Sequence, residues 1–208
     1  GLMANTTFSG PVRSENGFQT ISVNSTTGAA TVTSGAKMAV EAASSAGIEG
    51  TAELYITQVE RFKSDNSTNV NIVKTTILID LTGLKDGGTA GDIIGKDGSG
   101  VAYICQVTTA NQGTIFGATM TCLETPAGGS TDIDVYSATE GTGVNDTVIG
   151  DLTESQRING GNAAAGTVSA GGSIGADKYL YLVSQGTGDA TYTAGRFVIE
   201  LIGYDAAS

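Results

Sequence analysis

The side chains able to do chemistry in this chain are few in kind. Its 208 residues hold two cysteines, 21 acidic and 10 basic side chains, and neither histidine nor tryptophan. Without an imidazole base, a Ser–His–Asp or Cys–His pair is excluded, and so is any His-ligated metal centre. What remains is thiol chemistry at Cys105 and Cys122 and carboxylate chemistry in the second half of the chain.

Val101–Thr108 and Ile115–Leu123 both read as strands, and the link Thr109–Thr114 contains Asn111 and Gly113, a hairpin signal. A turn at Gly113–Thr114 sets Cys105 opposite Cys122 and Val107 opposite Met120, which puts the two thiols within disulfide reach. A slip of one residue separates them again. The plainer reading is a pair of small buried hydrophobes, the usual state of cysteine in a reducing compartment. The expectation is therefore a disulfide or buried thiols at Cys105 and Cys122. Two thiols alone do not complete a zinc site.

Asp97, Glu124, Asp132, Asp134, Glu140, Asp146, Asp151 and Glu154 follow one another between Lys96 and Arg157 with no basic residue among them. Hard cations take several such oxygens, and Asp132 and Asp134 fall on one side of a strand. The spacing matches no EF-hand loop. Gly87–Gly95 only brushes the calcium nonapeptide, with Ala90 in its fourth place and no second copy. A solvated acidic face is the simpler reading, and no metal is expected. Paired carboxylates also serve glycoside hydrolysis, but sugar sites usually carry Trp platforms. The glycine-rich stretches lack GxxxxGK[ST], and no GxGxxG follows a strand and opens a helix, so no phosphate cradle or cofactor is expected. No enzyme site emerges. Lys74, inside an apolar run, reads as an edge-strand lysine that blocks sheet-to-sheet association. Tyr55, Tyr103, Tyr136, Tyr179, Tyr181, Tyr192 and Tyr204 read as core or subunit-interface residues, with a carbohydrate platform as the alternative.

The elements that would carry these groups are strands. Leu54–Ile56, Val70–Leu81, Val101–Thr108, Ile115–Leu123, Asp132–Tyr136, Tyr179–Val183 and Arg196–Tyr204 are rich in β-branched and aromatic residues. Gly-rich links separate them: Lys85–Gly91, Ala127–Ser130, Glu140–Val144 and Gly160–Gly175, the last read as a loop or an assembly contact. Lys96–Gly100 reads as a hairpin turn. Lys37–Ala46 is the one stretch of good helix formers, stopped by Gly47. Together these predict an all-β fold: an antiparallel β-sandwich or jelly-roll-like domain with an extended N-terminal arm and at most one short helix. The division expected is residues 1–36 for the arm, with one or two short strands, and 37–208 for a single β-sandwich domain. A core this lean is marginal alone, so an oligomer is expected.

The formal charge is −11, which repels DNA and anionic lipid, so neither nucleic acid nor membrane is an expected partner. No apolar run approaches the ~20 residues of a membrane helix. Leu2–Met3–Ala4 is too short for the apolar stretch of a secretory signal. The low-charge arm Asn5, Thr6, Thr7, Phe8, Pro11, Val12 and Arg13 suits addition to a neighbour's sheet edge through backbone hydrogen bonds, with Phe8 and Pro11 as anchors. An ordinary frayed terminus is the alternative.

Met3–Phe18 (MANTTFSGPVRSENGF) resembles the start of small structural proteins of tailed bacteriophages, notably marine and cyanobacterial ones. Asp189–Tyr204 (DATYTAGRFVIELIGY) resembles the last strands of such virion proteins, and the middle of the chain carries no such likeness. The resemblance implies a capsid decoration or cement protein on the outer capsid, made in the host cytoplasm. It implies the major capsid protein as partner and a β-rich homotrimer as the assembly. It brings no catalytic motif. A tail or fibre receptor-binding module and a carbohydrate-binding adhesion domain are the alternatives.

Overall fold

The computed structural model describes residues 20–23, 30–34, 45–63 and 69–207. The chain divides into two units, Gly1–Lys37 and Met38–Ser208. In the first, β1 (Thr20–Val23) and β2 (Ala30–Ser34) form a two-stranded antiparallel sheet.

The described residues of the second unit form one sheet of ten strands: β3 (Ala52–Lys63), β4 (Asn69–Asp80), β5 (Asp92–Ile93), β6 (Gln106–Val107), β7 (Thr114–Ala127), β8 (Ile133–Ala138), β9 (Glu154–Ile158), β10 (Val168–Gly171), β11 (Lys178–Ser184) and β12 (Ala194–Ala207). Its hydrogen-bonded order is β3-β4-β12-β7-β10-β9-β8-β11-β5, with β6 also on β11, and every pairing between these strands is antiparallel. The all-β class expected from the sequence is therefore what the protein has. The sheet follows one continuous path curled into a half-barrel.

Long β-branched runs make the long strands, and side-chain alternation sets which side faces the core. Three cross-strand rows carry it: Ile79–Phe197–Cys122, Ile77–Ile199–Met120 and Thr75–Leu201–Ala118. All nine residues are buried. Full burial of a Phe or Ile contributes about 1.5–3 kcal/mol, so these rows add side-chain burial to the hydrogen bonds that join β4, β12 and β7. β8 and β11 are almost wholly buried on both faces, with Leu182 opposite Val135 and Tyr181 opposite Tyr136. Doubly buried strands read as continuous apolar runs, and Tyr179–Val183 does.

Several expectations are corrected here. The predicted hairpin between Val101–Thr108 and Ile115–Leu123 does not form. Only Gln106–Val107 is strand, and it pairs with β11, while β7 pairs with β12 and β10. The link folds instead as a single helical turn, α1 (Thr109–Gln112). Thr108 Oγ1 accepts from Asn111 N, Gln112 Oε1 accepts from Thr108 N, and Gly113 ends the turn at φ 67°. That reciprocal cap satisfies the free backbone groups of a helix start and sends the chain away from its predicted partner. The helix expected over Lys37–Ala46 lies outside the described residues except for Ser45–Ala46, which are not helical. Gly160–Gly175 is not all loop, because it contains β10. Lys96–Gly100 does turn, with Ser99 N donating to Lys96 O. Its flanks bridge elsewhere, Gly95 to Lys85 and Val101 to Val144, so it is no hairpin. Lys74 sits on β4, an interior strand between β3 and β12, and pairs with Glu200. Its edge-strand role is withdrawn.

Candidate protein-binding surface

The surface that stands out is the outer side of β4, β12, β7 and β10. Alternation puts one set of side chains in the core rows and the other set on this side. Cross-strand pairing arranges it in rows. At one end Arg196 sits between Asp80 on β4 and Glu124 on β7, its Nε 3.1 Å from Asp80 Oδ2 and 3.6 Å from Glu124 Oε2. The next row is Leu78–Val198–Thr121–Val168. Then come Thr76–Glu200–Thr119–Ala170 and Lys74–Ile202–Gly117. Ile72–Tyr204–Thr114 closes the far end.

Two apolar patches result, separated by the Lys74–Glu200 ion pair. One is Leu78, Val198 and Val168, with Leu123 beside it. Val168 is 64% exposed and Leu123 54%. The other is Ile72, Ile202, Tyr204 and Phe116, with Phe116 53% exposed. A register shift between Ile202 and Gly203 puts Phe116 and Gly117 both off the core side. A bulge of this kind re-aims a side chain without breaking the sheet. At Gly117 nothing lies within 4 Å of where a Cβ would stand, so the backbone is open beside the Phe116 ring.

The charges on this face are paired with one another. The Thr82 hydroxyl and N–H, then the Arg196 guanidinium, hold the Asp80 carboxyl below the usual aspartate range. Asp80 in turn raises Arg196 above its ordinary value. Exposed pairs of this sort add little stability. Their effect here is to leave the face nearly neutral in a chain of charge −11.

The acidic residues are not simply a solvated face. Asp134 is 2% exposed. Its Oδ2 accepts from Gln156 Nε2 at 2.7 Å and Gln185 Nε2 at 2.9 Å, and its Oδ1 accepts from Gly160 N at 2.8 Å. Asp86, which sequence reasoning passed over, is equally buried and accepts from Ser130 N and Ala190 N. Asp92 is buried and accepts from Thr89 N beside Asp146, which accepts from Gly88 N. Burial, then the charge of Asp146, pushes Asp92 above the usual aspartate range. Burial and the charge of Asp134 raise Asp132 in the same way. These carboxylates satisfy loop N–H groups that would otherwise be orphaned. They tie loops from distant parts of the sequence to the sheet. Among the described residues no three acid or cysteine side chains converge as metal ligands would.

Cys105 and Cys122 are both buried, and both are free thiols. Cys122 lies on β7 opposite Phe197 of β12, whereas Cys105 precedes β6 and its carbonyl accepts from Leu180 N on β11. Burial pushes the Cys105 thiol up to about 12, so it stays protonated and unreactive. The arm residues Asn5, Thr6, Thr7, Phe8, Pro11, Val12 and Arg13 lie outside the described residues. Of the tyrosines, Tyr181 and Tyr192 are core residues. Tyr103 meets Tyr179 edge-on at 4.9 Å, and a Cβ on Gly141 would stand 2.6 Å from the Tyr179 ring, so that ring is covered rather than offered as a platform.

The exposed face was not singled out from the sequence, though a signal exists. Val198, Ile202 and Tyr204 alternate with Phe197, Ile199 and Leu201, which makes β12 apolar on both sides. Comparison of the chain with models of known protein families, with curated proteins and with solved structures finds no match.

Proposed function

We propose that this chain is a structural virion protein that decorates the outer capsid and stabilises it by binding adjacent subunits of the major capsid protein, as a homotrimer made in the host cytoplasm. The observation that carries this reading is the outer face of β4, β12, β7 and β10. It presents Phe116, Tyr204 and Leu123 on strands fixed by the core rows, with Val168 on the neighbouring β10. Aromatic and aliphatic anchors on a rigid frame with neutralised charge suit a protein partner, because little ordering cost opposes their burial. The acidic surface suits a location away from packaged DNA. The resemblance of residues 3–18 and 189–204 to phage structural proteins supports the same role. Many copies, each bridging neighbouring subunits, would turn a modest free energy per contact into a large resistance to internal pressure.

The test is binding of the purified protein to expanded heads. Cosedimentation with heads but not with DNA, a trimeric mass in solution, and loss of cosedimentation in a Phe116→Ser variant are the expected results. Absence from heads together with presence in tails, or saccharide binding that depends on tyrosine, would replace this reading.

A further inference from the structure

Asn159 follows β9 and is exposed, and the residue after it is Gly160. In an Asn–Gly pair the backbone nitrogen of glycine can reach the preceding side-chain amide carbon with no Cβ in the way. In this fold that nitrogen is engaged: Gly160 N donates to Asp134 Oδ1 at 2.8 Å. Asp134 is itself fixed by Gln156 and Gln185. Gly160 cannot be replaced without displacing the backbone beside it. A Cβ there would stand 2.0 Å from the Ile133 carbonyl oxygen and 2.4 Å from Met120 Cε. Glycine is required at 160 by this close packing, and the labile pair is a consequence.

We propose that Asn159–Gly160 is a latent deamidation site, kept unreacted in the folded protein by the Asp134–Gly160 hydrogen bond and converted when that bond opens. Gly160 N loses its proton to solvent hydroxide and attacks Asn159 Cγ. The N–Cγ bond forms, the Cγ–Nδ2 bond breaks, and ammonia leaves with a proton from water. Water then adds to either carbonyl of the resulting succinimide and gives aspartate or isoaspartate at 159. One water is consumed, one ammonia is released, and nothing is oxidised or reduced. Two features slow the first step in the folded state. An amide anion beside the Asp134 carboxylate would set two negative charges within hydrogen-bond distance. The packing of Gly160 against Ile133 also blocks the backbone rotation that ring closure needs.

The product reinforces the opening that produced it. It adds a negative charge at the residue before the Gly160 N–H that Asp134 holds, and the isoaspartate form lengthens the main chain next to Ile158, which is buried and pairs with both Val135 and Gly171. The site therefore records local opening of this corner of the sheet irreversibly.

The experiment is peptide mass spectrometry of the intact protein held in mildly alkaline buffer, folded and in urea. It follows conversion of Asn159 in the tryptic peptide that begins at Ile158. The folded protein is expected to convert at least roughly tenfold more slowly than the unfolded chain, since reaction must wait for local opening. An Asp134→Ala variant that folds is expected to convert severalfold faster than the folded parent, and still more slowly than the unfolded chain, because the packing of Gly160 against Ile133 remains. If that variant does not fold, the wild type still decides. Its conversion rate across sub-denaturing urea must track hydrogen exchange of the Gly160 amide. Equal rates in folded and unfolded protein, slower conversion in Asp134→Ala, or no relation to Gly160 exchange would each overturn the proposal.

Discussion

The rings of Phe116 and Tyr204 lie 6.3 Å apart and are inclined by 36°, on neighbouring strands whose register pairs Tyr204 with Thr114 instead. The bulge beside Gly203 produces this contact by turning Phe116 off the core side. The two rings form the aromatic part of the outer face. On the proposed function, Phe116→Ser and Tyr204→Ser should each weaken binding to heads by roughly 10-fold or more, the scale of a buried aromatic anchor. Folding stability should change by less than about 0.5 kcal/mol, as for other surface substitutions. Quantitative cosedimentation and thermal melts separate the two effects. A large stability loss with unchanged binding would mean that this pair serves the fold alone.

Gly203 and Gly172 give a matched test of packing. A Cβ at 203 would stand 2.1 Å from the Gln112 carbonyl oxygen, where α1 closes on β12, whereas at 172 nothing lies within 4 Å. Gly203→Ala is expected to destabilise by about 1–3 kcal/mol through overpacking. Gly172→Ala should stay within about 0.5 kcal/mol of the parent. Urea unfolding of both variants at constant m-value is the measurement.

Tyr181 is buried and donates to the Glu140 carbonyl at 2.8 Å, while Gly143 N approaches its oxygen at 3.3 Å. Burial pushes its phenol up to about 12. Tyr181→Phe keeps the ring and strands both backbone groups, so a loss of about 1–3 kcal/mol is expected. Hydrogen exchange should show the loss concentrated in the loop after β8.

Asp92 makes stability depend on pH. Its folded pKa is raised by burial and by Asp146 above its unfolded value. The folded protein therefore binds this proton more tightly than the unfolded chain. The associated stability is fully present below the unfolded pKa and is lost as pH rises through the folded pKa. Asp92→Asn should melt higher than the parent at neutral pH, and the difference should shrink toward zero in acid. A difference that grows in acid would reverse the assignment.

The two thiols offer a chemical check. Cys105 and Cys122 should resist a thiol reagent in the folded protein and both react in urea, without prior reduction. The melting temperature should be the same with and without reductant. A reductant-dependent melt would mean that a disulfide forms.

Composition and alternation were enough to settle that this chain is antiparallel β. Runs such as Val70–Leu81, Tyr179–Val183 and Arg196–Tyr204 favour the extended backbone locally, and each became a strand. The lack of histidine likewise ruled out whole classes of chemistry before any fold was known. Pairing was a different matter. Whether β7 meets β6 or β12 depends on contacts between residues far apart in the chain, and the cap joining Thr108 to Gln112 turned a predicted hairpin into a helical step. The roles of Asp86, Asp134 and Gly160 were decided at the same level. A carboxylate becomes a latch only when folding buries it against a distant N–H, and a glycine becomes irreplaceable only when another backbone closes on it. Phe116 faces outward for the same reason: alternation fixes which residues share a side, but the bulge that shifts the alternation comes from the packing of two strands.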